Sequence, residues 1–263
     1  MGHHHDHDHA HSHSVTGNLK VAFFLNLSFT IIEFIGGALT NSMAIFSDAI
    51  HDLGDTFAIG AALFLENYSH RGRSKNFSFG YKRFSPLSAL INSVILLAGS
   101  LIIIVESVPR LLNPEPVNAE GMLYLAIAGV VFNGAAVLRL RNKESSVNQR
   151  TVMLHLMEDA LGWVAVLIGS IVMLFADIPI IDPILSLGIA LYILWNAFKN
   201  LRKVLHIFLQ GTPRNVDLEE VKKDLLKLEH VQDIHDTHVW TMDGSYNILT
   251  DRKSTRLNSS HYS

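Results

Sequence analysis

The stretch Ser42–Leu65, with the sequence SMAIFSDAIHDLGDTFAIGAALFL, has the length of a membrane span but contains several titratable side chains: Asp48, His51, Asp52 and Asp55. A transmembrane helix needs about 20 consecutive, mostly apolar residues. A charged side chain within such a helix is costly, and its presence is by default a sign of function. This stretch therefore predicts a membrane helix that also carries a functional site.

Five further apolar segments of spanning length flank this stretch: Leu19–Leu39, Phe84–Val108, Met122–Leu140, Val152–Ala176 and Ile180–Phe198. The composition agrees, because 49% of the residues are hydrophobic and only 17% are charged, against roughly 25% charged residues in an average soluble domain. The N-terminal residues are polar and histidine-rich, unlike a signal peptide. We therefore predict an all-α bundle of six transmembrane helices.

Lysine and arginine fall on alternate connections between these segments. The connections after the second and fourth segments and the stretch after the sixth are rich in them: Arg71, Arg73, Lys75, Lys82, Arg83, Arg139, Arg141, Lys143, Arg150, Lys199, Arg202 and Lys203. The first and fifth connections have none, and the third has only Arg110. By the positive-inside rule this pattern predicts a multi-pass inner-membrane protein with both termini in the cytoplasm. Buried helices of a soluble protein are the disfavoured alternative.

The sequence after the sixth segment turns polar and predicts a small cytoplasmic α+β domain. Asn215 or Asp217 can cap a helix whose apolar residues recur at helical spacing. Val231–Met242 is typical of a strand, Asp243–Gly244 of a hairpin turn, and the alternating residues that follow, Tyr246, Ile248 and Thr250, of a second strand. One helix and one hairpin are marginally stable alone, so this domain is predicted to be truncated.

Four regions follow from this organisation: a histidine-rich cytoplasmic tail (1–17), a transmembrane domain (18–205), a partial cytoplasmic domain (206–250) and a final region (251–263). The final region is polar without an apolar period. We expect it to depart from the native chain, through truncation or a sequence-assembly artefact, and a native disordered tail is the alternative. The run from His3 to His13 has a metal-binding composition. Loose metal capture is favoured for it over an expression tag or a tail without a role.

Two H-x-x-x-D patterns, His51–Asp55 and His155–Asp159, lie on the second and fifth segments. A separation of four residues places both side chains of each pair on one helix face. Two such helices side by side would present four ligands, the number that a tetrahedral Zn²⁺ takes. Imidazole suits zinc, cobalt, nickel and copper better than magnesium or calcium. The alternative is a set of buried polar groups that hold helices together, and the cost of burying them in lipid favours metal.

Other polar residues of the spans support weaker hypotheses. Asp48 lies on nearly the same face as His51 and could line an access path. Glu33 is either a partner of the metal ligands or a contact between helices. No cysteine is present, so thiolate metal sites, thiol catalysis and disulfides are excluded. His235 and His238 are three residues apart on the predicted strand and would face opposite sides of it.

These motifs together resemble the cation diffusion facilitator family, and within it the bacterial cobalt–zinc–cadmium efflux transporters. The resemblance rests on Ser47–Asp55, Phe79–Phe84, His155–Asp159 and Asp233–Trp240, and it extends from about residue 18 to residue 250. It implies a homodimer with six spans per subunit and a cytoplasmic ferredoxin-like domain. It further implies a transport site between the second and fifth helices, at the two H-x-x-x-D patterns.

The resemblance also implies that cytoplasmic metal is exchanged for protons. A histidine at position 51 is associated in this family with zinc preference over manganese or iron, and His235 matches a regulatory zinc ligand of some members. The sequence departs from the family after Thr250, where a second helix and third strand of the tail domain are missing. This departure places tail dimerisation and the regulatory site in question.

We therefore predict secondary active efflux of zinc, or of cadmium or cobalt, with the metal as cargo and without a cofactor. The ligands do not discriminate among these three ions. No enzyme is predicted, and the net charge of −3 gives no basic surface for nucleic acid. A membrane metal sensor is the alternative, and an intramembrane zinc hydrolase is less favoured because the patterns supply four ligands and no H-E-x-x-H motif. The partners are the metal ion, protons and the lipid bilayer.

Overall fold

Long helices make up most of the part of the chain that the computed structural model describes, which comprises residues 9–69, 73–141, 147–228 and 231–255. These helices are α1 (His9–Thr40), α2 (Met43–Ser69), α3 (Phe84–Leu112), α4 (Ala119–Arg141), α5 (Val147–Ala176) and α6 (Ile181–Phe208). They are followed by α7 (Leu218–Leu226), β1 (Val231–Thr241) and β2 (Asn247–Thr255). Residues 1–8 of the predicted histidine-rich tail lie outside the described residues, whereas the backbone of residues 9–17 belongs to α1.

Five of the long helices are long and apolar enough to cross a membrane: Lys20–Thr40, Phe84–Leu112, Ala119–Leu138, Leu156–Ala176 and Ile181–Phe208. Helix α2 has 27 residues, which at 1.5 Å per residue gives about 40 Å, enough to cross a bilayer. Its composition is less apolar than that of a typical membrane span, because it carries the acidic residues Asp48, Asp52 and Asp55. Length and composition thus support five of the six predicted spans, and the sixth stays a prediction.

The chain divides into two compact units, one formed by residues 1–63 and 91–199 and the other by residues 64–90 and 200–263. In the first unit many of the buried side chains are small or polar: Ala44, Ser47, Ser93, Ser100, Ala126, Ser170, Ser186 and Ala190. Large apolar side chains such as Leu39, Val105 and Phe175 are exposed. This arrangement is typical of helices that pack through small residues while their large apolar residues face lipid.

Helices α4 and α5 pack along each other, and a glycine makes their close approach feasible. A Cβ atom added at Gly129 of α4 would collide with the indole ring of Trp163 on α5. Trp163 is among the largest fully buried side chains, and it also makes an edge-to-face contact with Phe29 of α1, at 5.8 Å between ring centroids. The indole therefore fills the space between three helices.

The first turn of α2 is capped by a carboxylate that comes from α6. The fully buried Asp182 accepts hydrogen bonds from the Ser42 hydroxyl at 2.5 Å and from the backbone N–H groups of Met43 at 2.8 Å and Ala44 at 3.2 Å. The first N–H groups of a helix have no partner within the helix, and a carboxylate at this end is also favoured by the helix dipole. Asp182 thereby fixes the start of the helix that carries His51 and Asp55.

Replacing Asp182 with asparagine is expected to lower the free energy of unfolding by about 2 kcal/mol, because buried N–H donors lose a charged acceptor. Unfolding of the purified protein in mixed detergent micelles measures this loss. Asp177→Asn is the matched control, since Asp177 lies just before α6 but is exposed. Equal unfolding midpoints for the two variants would contradict the capping role of Asp182.

The second unit contains α7 and an antiparallel hairpin of β1 and β2. Of the two predicted helix caps the structure selects Asp217, whose side chain accepts a hydrogen bond from the Glu219 N–H at 2.9 Å. The predicted Asp243–Gly244 turn is confirmed, with Gly244 at φ +97°, where glycine is favoured. Strand β2 continues past Thr250 to Thr255, because its backbone pairs with β1 up to Val231.

A basic residue of the loop between α2 and α3 contacts the hairpin turn. Lys82 Nζ lies 4.0 Å from Asp243 Oδ2 and 4.0 Å from the centroid of the Tyr246 ring. Partial burial alone would raise the pKa of Asp243. Hydrogen bonds from the Tyr246 and Ser245 N–H groups, together with the Lys82 charge, outweigh the burial and lower this pKa below its usual value.

A lowered pKa means that ionised Asp243 stabilises the folded turn at neutral pH, and that this contribution is lost as pH falls through the folded-state pKa. We expect the Ser245 and Tyr246 amides to keep constant protection from hydrogen exchange between about pH 7 and 5 and to lose it below about pH 4. In Asp243→Asn this pH dependence should disappear. Protection that follows pH equally in both proteins would assign the effect to another group.

Candidate metal centre

Helices α2 and α5 bring three potential metal ligands together. His51 Nε2 lies 3.5 Å from Asp159 Oδ1 and 3.8 Å from Asp55 Oδ2. One ligand atom from each residue can be chosen so that all three lie within 4.8 Å of one another. The i, i+4 spacing of His51 and Asp55 puts both on one face of α2, and α5 supplies Asp159 opposite them.

The cluster is suited chemically to a divalent metal ion. Its side chains are partly shielded, with exposed fractions of 22% for His51, 23% for Asp55 and 11% for Asp159. One imidazole nitrogen and carboxylate oxygens match the zinc donor set, in which nitrogen and oxygen ligands bind at about 2.0–2.2 Å. The separation of the ligand atoms is compatible with one ion between them. The imidazole suits zinc and similar ions, whereas the carboxylates suit harder ions.

The fourth predicted ligand, His155, belongs to α5 by its backbone, but its side chain lies outside the described part of the structure. It precedes Asp159 by one helical turn, which is the same relation that His51 has to Asp55. The sequence repeat therefore remains the argument for His155. The neighbouring Glu158 is exposed, in agreement with its different helix face.

The predicted regulatory residue His235 lies on β1 and contacts Asp233, with 3.1 Å between Nε2 and Oδ2. His238 likewise contacts Asp236, at 2.9 Å between Nε2 and Oδ1. The strand is irregular between the two histidines, and Asp236 has a left-handed backbone with φ +57°. The two histidines thus follow no regular strand alternation, and each is paired with its own aspartate on the surface.

Three further acidic residues of the first two helices, Glu33 on α1 and Asp48 and Asp52 on α2, are all buried. The sequence hypotheses treated Asp48 as part of an access path and Glu33 as a helix contact or partner. Spacing in the sequence could have drawn attention to these residues. Glu33 follows Asn26 and Thr30 in a polar i, i+4, i+7 series on α1, and Asp48 and Asp52 form an i, i+4 pair on α2.

Comparison with known proteins gives consistent matches over most of the chain. A family model described as the cation efflux transmembrane domain matches residues 19–209. A cadmium, cobalt and zinc/H(+)-K(+) antiporter of Bacillus subtilis is 34% identical over 253 residues, covering 95% of this chain and 80% of that protein.

Two further similar proteins come from other bacteria. The zinc transporter ZitB of Yersinia pseudotuberculosis is 35% identical over 235 residues, covering 88% of this chain and 75% of the relative. The metal cation efflux system protein CzcD of Cupriavidus metallidurans is 34% identical over 234 residues, covering 89% of this chain and 74% of the relative. The matched region includes the helices that carry the cluster.

Proposed function

The chain belongs to the cation efflux family, and from this premise we propose that it exports zinc, or cadmium or cobalt, in exchange for protons. Its family and relatives are transporters and not enzymes. The names of the relatives support these three metals and an antiport mechanism. The observation that carries the proposal is that ligand atoms of His51, Asp55 and Asp159, from α2 and α5, lie within 4.8 Å of one another.

In the proposed site, His155 completes a tetrahedral set with these three residues and holds the metal near the middle of the bilayer. A metal ligand must be deprotonated, so protons and metal compete for the same side chains. An unperturbed imidazole titrates near pH 6.5, within the physiological range. Protons from a more acidic exterior displace the metal outward, and cytoplasmic metal displaces the protons when the site faces inward.

The proposed membrane topology has six spans, namely α2 and the five helices that are long and apolar enough to cross a membrane. Its acidic residues are tolerated because they face α1 and α5 instead of lipid, as intramembrane charges generally do. The alternating distribution of lysine and arginine supports cytoplasmic termini. The corresponding domains are a histidine-rich tail (1–17), a transmembrane domain (18–205), a partial ferredoxin-like cytoplasmic domain (206–250) and a final region (251–263).

The proposed assembly is a homodimer, as the family resemblance implies. In the cytoplasmic domain, His235 is proposed as a regulatory zinc ligand; its exposure and its Asp233 partner support access for a metal. The histidine run from His3 to His13 is proposed to capture metal at the cytoplasmic side. These assignments are secondary to the cluster between α2 and α5.

Proton exchange is tested with zinc uptake into inverted membrane vesicles that have an acidic interior. Uptake is expected to depend on the pH gradient and to fall to the level of control vesicles when nigericin in potassium medium collapses it, because the site then no longer meets a proton excess when it opens to the vesicle interior. Vesicles without the protein measure leakage. Uptake that persists at the full rate without a pH gradient would overturn proton coupling while leaving metal transport intact.

A further inference from the structure

A cavity of about 380 Å³ lies within the second unit, beside the ends of two membrane spans. It is formed by the loop before α3, by Gln210 just after α6 and by strand β1. The span of α3 begins at Phe84 and the span of α6 ends at Phe208, so in the proposed topology the cavity belongs to the boundary between bilayer and cytoplasm. Its lining includes four aromatic rings, one thioether and one positive charge: Phe77, Phe79, Phe84, Trp240, Met242 and Arg83.

The aromatic side chains of the loop form an apolar wall that is only partly covered by the protein. Tyr81 packs against Phe77 and Phe84, with ring centroids 4.7 Å and 5.7 Å apart, and thereby fixes both rings. Phe77 and Phe79 nevertheless keep 45% and 51% of their surface exposed. Aromatic residues are enriched at the level of lipid headgroups, and an exposed apolar patch marks a surface that binds a partner or a membrane.

Arg83 brings a positive charge to this cavity. Among the described residues, the half-buried Arg83 forms no ion pair, whereas the neighbouring Lys82 lies 4.0 Å from Asp243 Oδ2. In the described part of the chain no acidic residue lines the cavity. A guanidinium group offers paired N–H donors that match the oxygens of a phosphate. The cavity therefore combines a phosphate-binding group with an apolar wall.

We propose that this cavity binds an anionic phospholipid of the cytoplasmic leaflet, with the lipid phosphate on Arg83 and the glycerol and upper acyl chains against the aromatic wall. The proposal goes beyond metal export and rests on the cytoplasmic orientation proposed for this loop. The exposed Arg73 and Lys75 of the same loop add to the attraction, because the cytoplasmic leaflet is negatively charged and basic pockets beside membrane helices bind its headgroups. A soluble phosphate is disfavoured, because it would leave the aromatic wall uncovered.

Native mass spectrometry of the purified full-length protein in detergent, without added metal, measures lipid binding. The wild type is expected to bind phosphatidylglycerol at least about tenfold more tightly than the zwitterionic phosphatidylcholine. In Arg83→Gln this preference is expected to fall below about twofold, because the charged hydrogen bonds to the phosphate are lost. Arg73→Gln is the matched control and should keep the preference, since Arg73 is an exposed arginine of the same loop that does not line the cavity.

Phe79→Ala tests the apolar wall and provides a second variant should Arg83→Gln not fold. Because Phe79 is half exposed, its loss should leave the fold intact while weakening phosphatidylglycerol binding about fivefold through lost apolar contact. Inorganic phosphate is the probe for a soluble ligand. It is expected not to displace the lipid even in large excess, because it makes no contact with the aromatic wall.

Three results would overturn the lipid site. One is an equal preference for phosphatidylglycerol in wild type, Arg83→Gln and Phe79→Ala. Another is displacement of the lipid by an equal concentration of inorganic phosphate, which would assign the cavity to a soluble anion. The third is loss of a dimer in the spectra of both cavity variants while lipid binding persists, which would assign the cavity to a second copy of the chain. Because metal is absent, none of these results bears on zinc export, which uptake with Asp159→Ala tests separately.

Discussion

Replacement of His51 with alanine is expected to weaken zinc binding by about 100-fold or more and to remove the zinc tolerance that the protein confers on a sensitive host. Changes in residues that only orient metal ligands cost about 10–100-fold in affinity, so loss of a ligand should cost at least as much. His51 is also the residue that bridges α2 to Asp159 on α5. Equilibrium dialysis against zinc measures the affinity of the purified protein.

Leu53→Ala is the matched control, because Leu53 lies on the same helix and is exposed. His51→Asp adds a test of selectivity, since it keeps a ligand but exchanges nitrogen for oxygen. We expect this variant to retain metal binding and to shift preference from zinc toward manganese. Unchanged zinc affinity in His51→Ala would show that His51 is not a metal ligand. A host protected equally well by this variant would show that transport does not require His51.

Replacement of Gly129 with valine is expected to have the largest effect on stability. The first added carbon already collides with the buried indole of Trp163, and that ring is confined between α4, α5 and Phe29. Overpacking of an interior typically costs about 1–3 kcal/mol, and rigid aromatic contacts place this substitution at the upper end. Thermal unfolding in detergent should show the loss directly.

Gly134→Val on the same helix is the control for this prediction. A Cβ atom at Gly134 meets no heavy atom of the described residues within 4 Å, so it should change the melting temperature little. Because both variants replace a glycine of α4 with the same residue, their helix-propensity effects largely cancel in the comparison. Equal melting temperatures would show that the packing of Gly129 against Trp163 does not limit stability.

Most of the helical architecture was predictable from the sequence, because each membrane span is specified by its own long run of apolar residues. The five supported spans all overlap the predicted segments. The hairpin turn was equally local, since Asp243–Gly244 specifies its own backbone geometry. Strand β2 beyond Thr250 was not predictable from side chains, because those residues are polar and the strand is defined by backbone pairing with β1.

The two acidic features that the sequence did not resolve depend on contacts between distant residues. Asp182 looks like an ordinary acid of a short connection, and only the packing of α6 against α2 makes it a helix cap. Glu33 gave two equal hypotheses because its spacing to Asn26 and Thr30 marks a polar helix face but not the residues that this face meets. For the cluster itself, the repeated H-x-x-x-D spacing predicts four ligands, and the structure brings His51, Asp55 and Asp159 within 4.8 Å of one another, while His155 stays a prediction.

Zinc uptake into sealed vesicles that contain the purified protein is the most direct test of transport through this cluster. Wild-type protein, Asp159→Ala and Glu158→Ala are compared at equal density, the last variant because Glu158 is the exposed neighbour of Asp159 on α5. We predict uptake with wild type and Glu158→Ala and loss of uptake to the background with Asp159→Ala. Equal uptake in all three proteins would contradict a metal path through His51, Asp55 and Asp159.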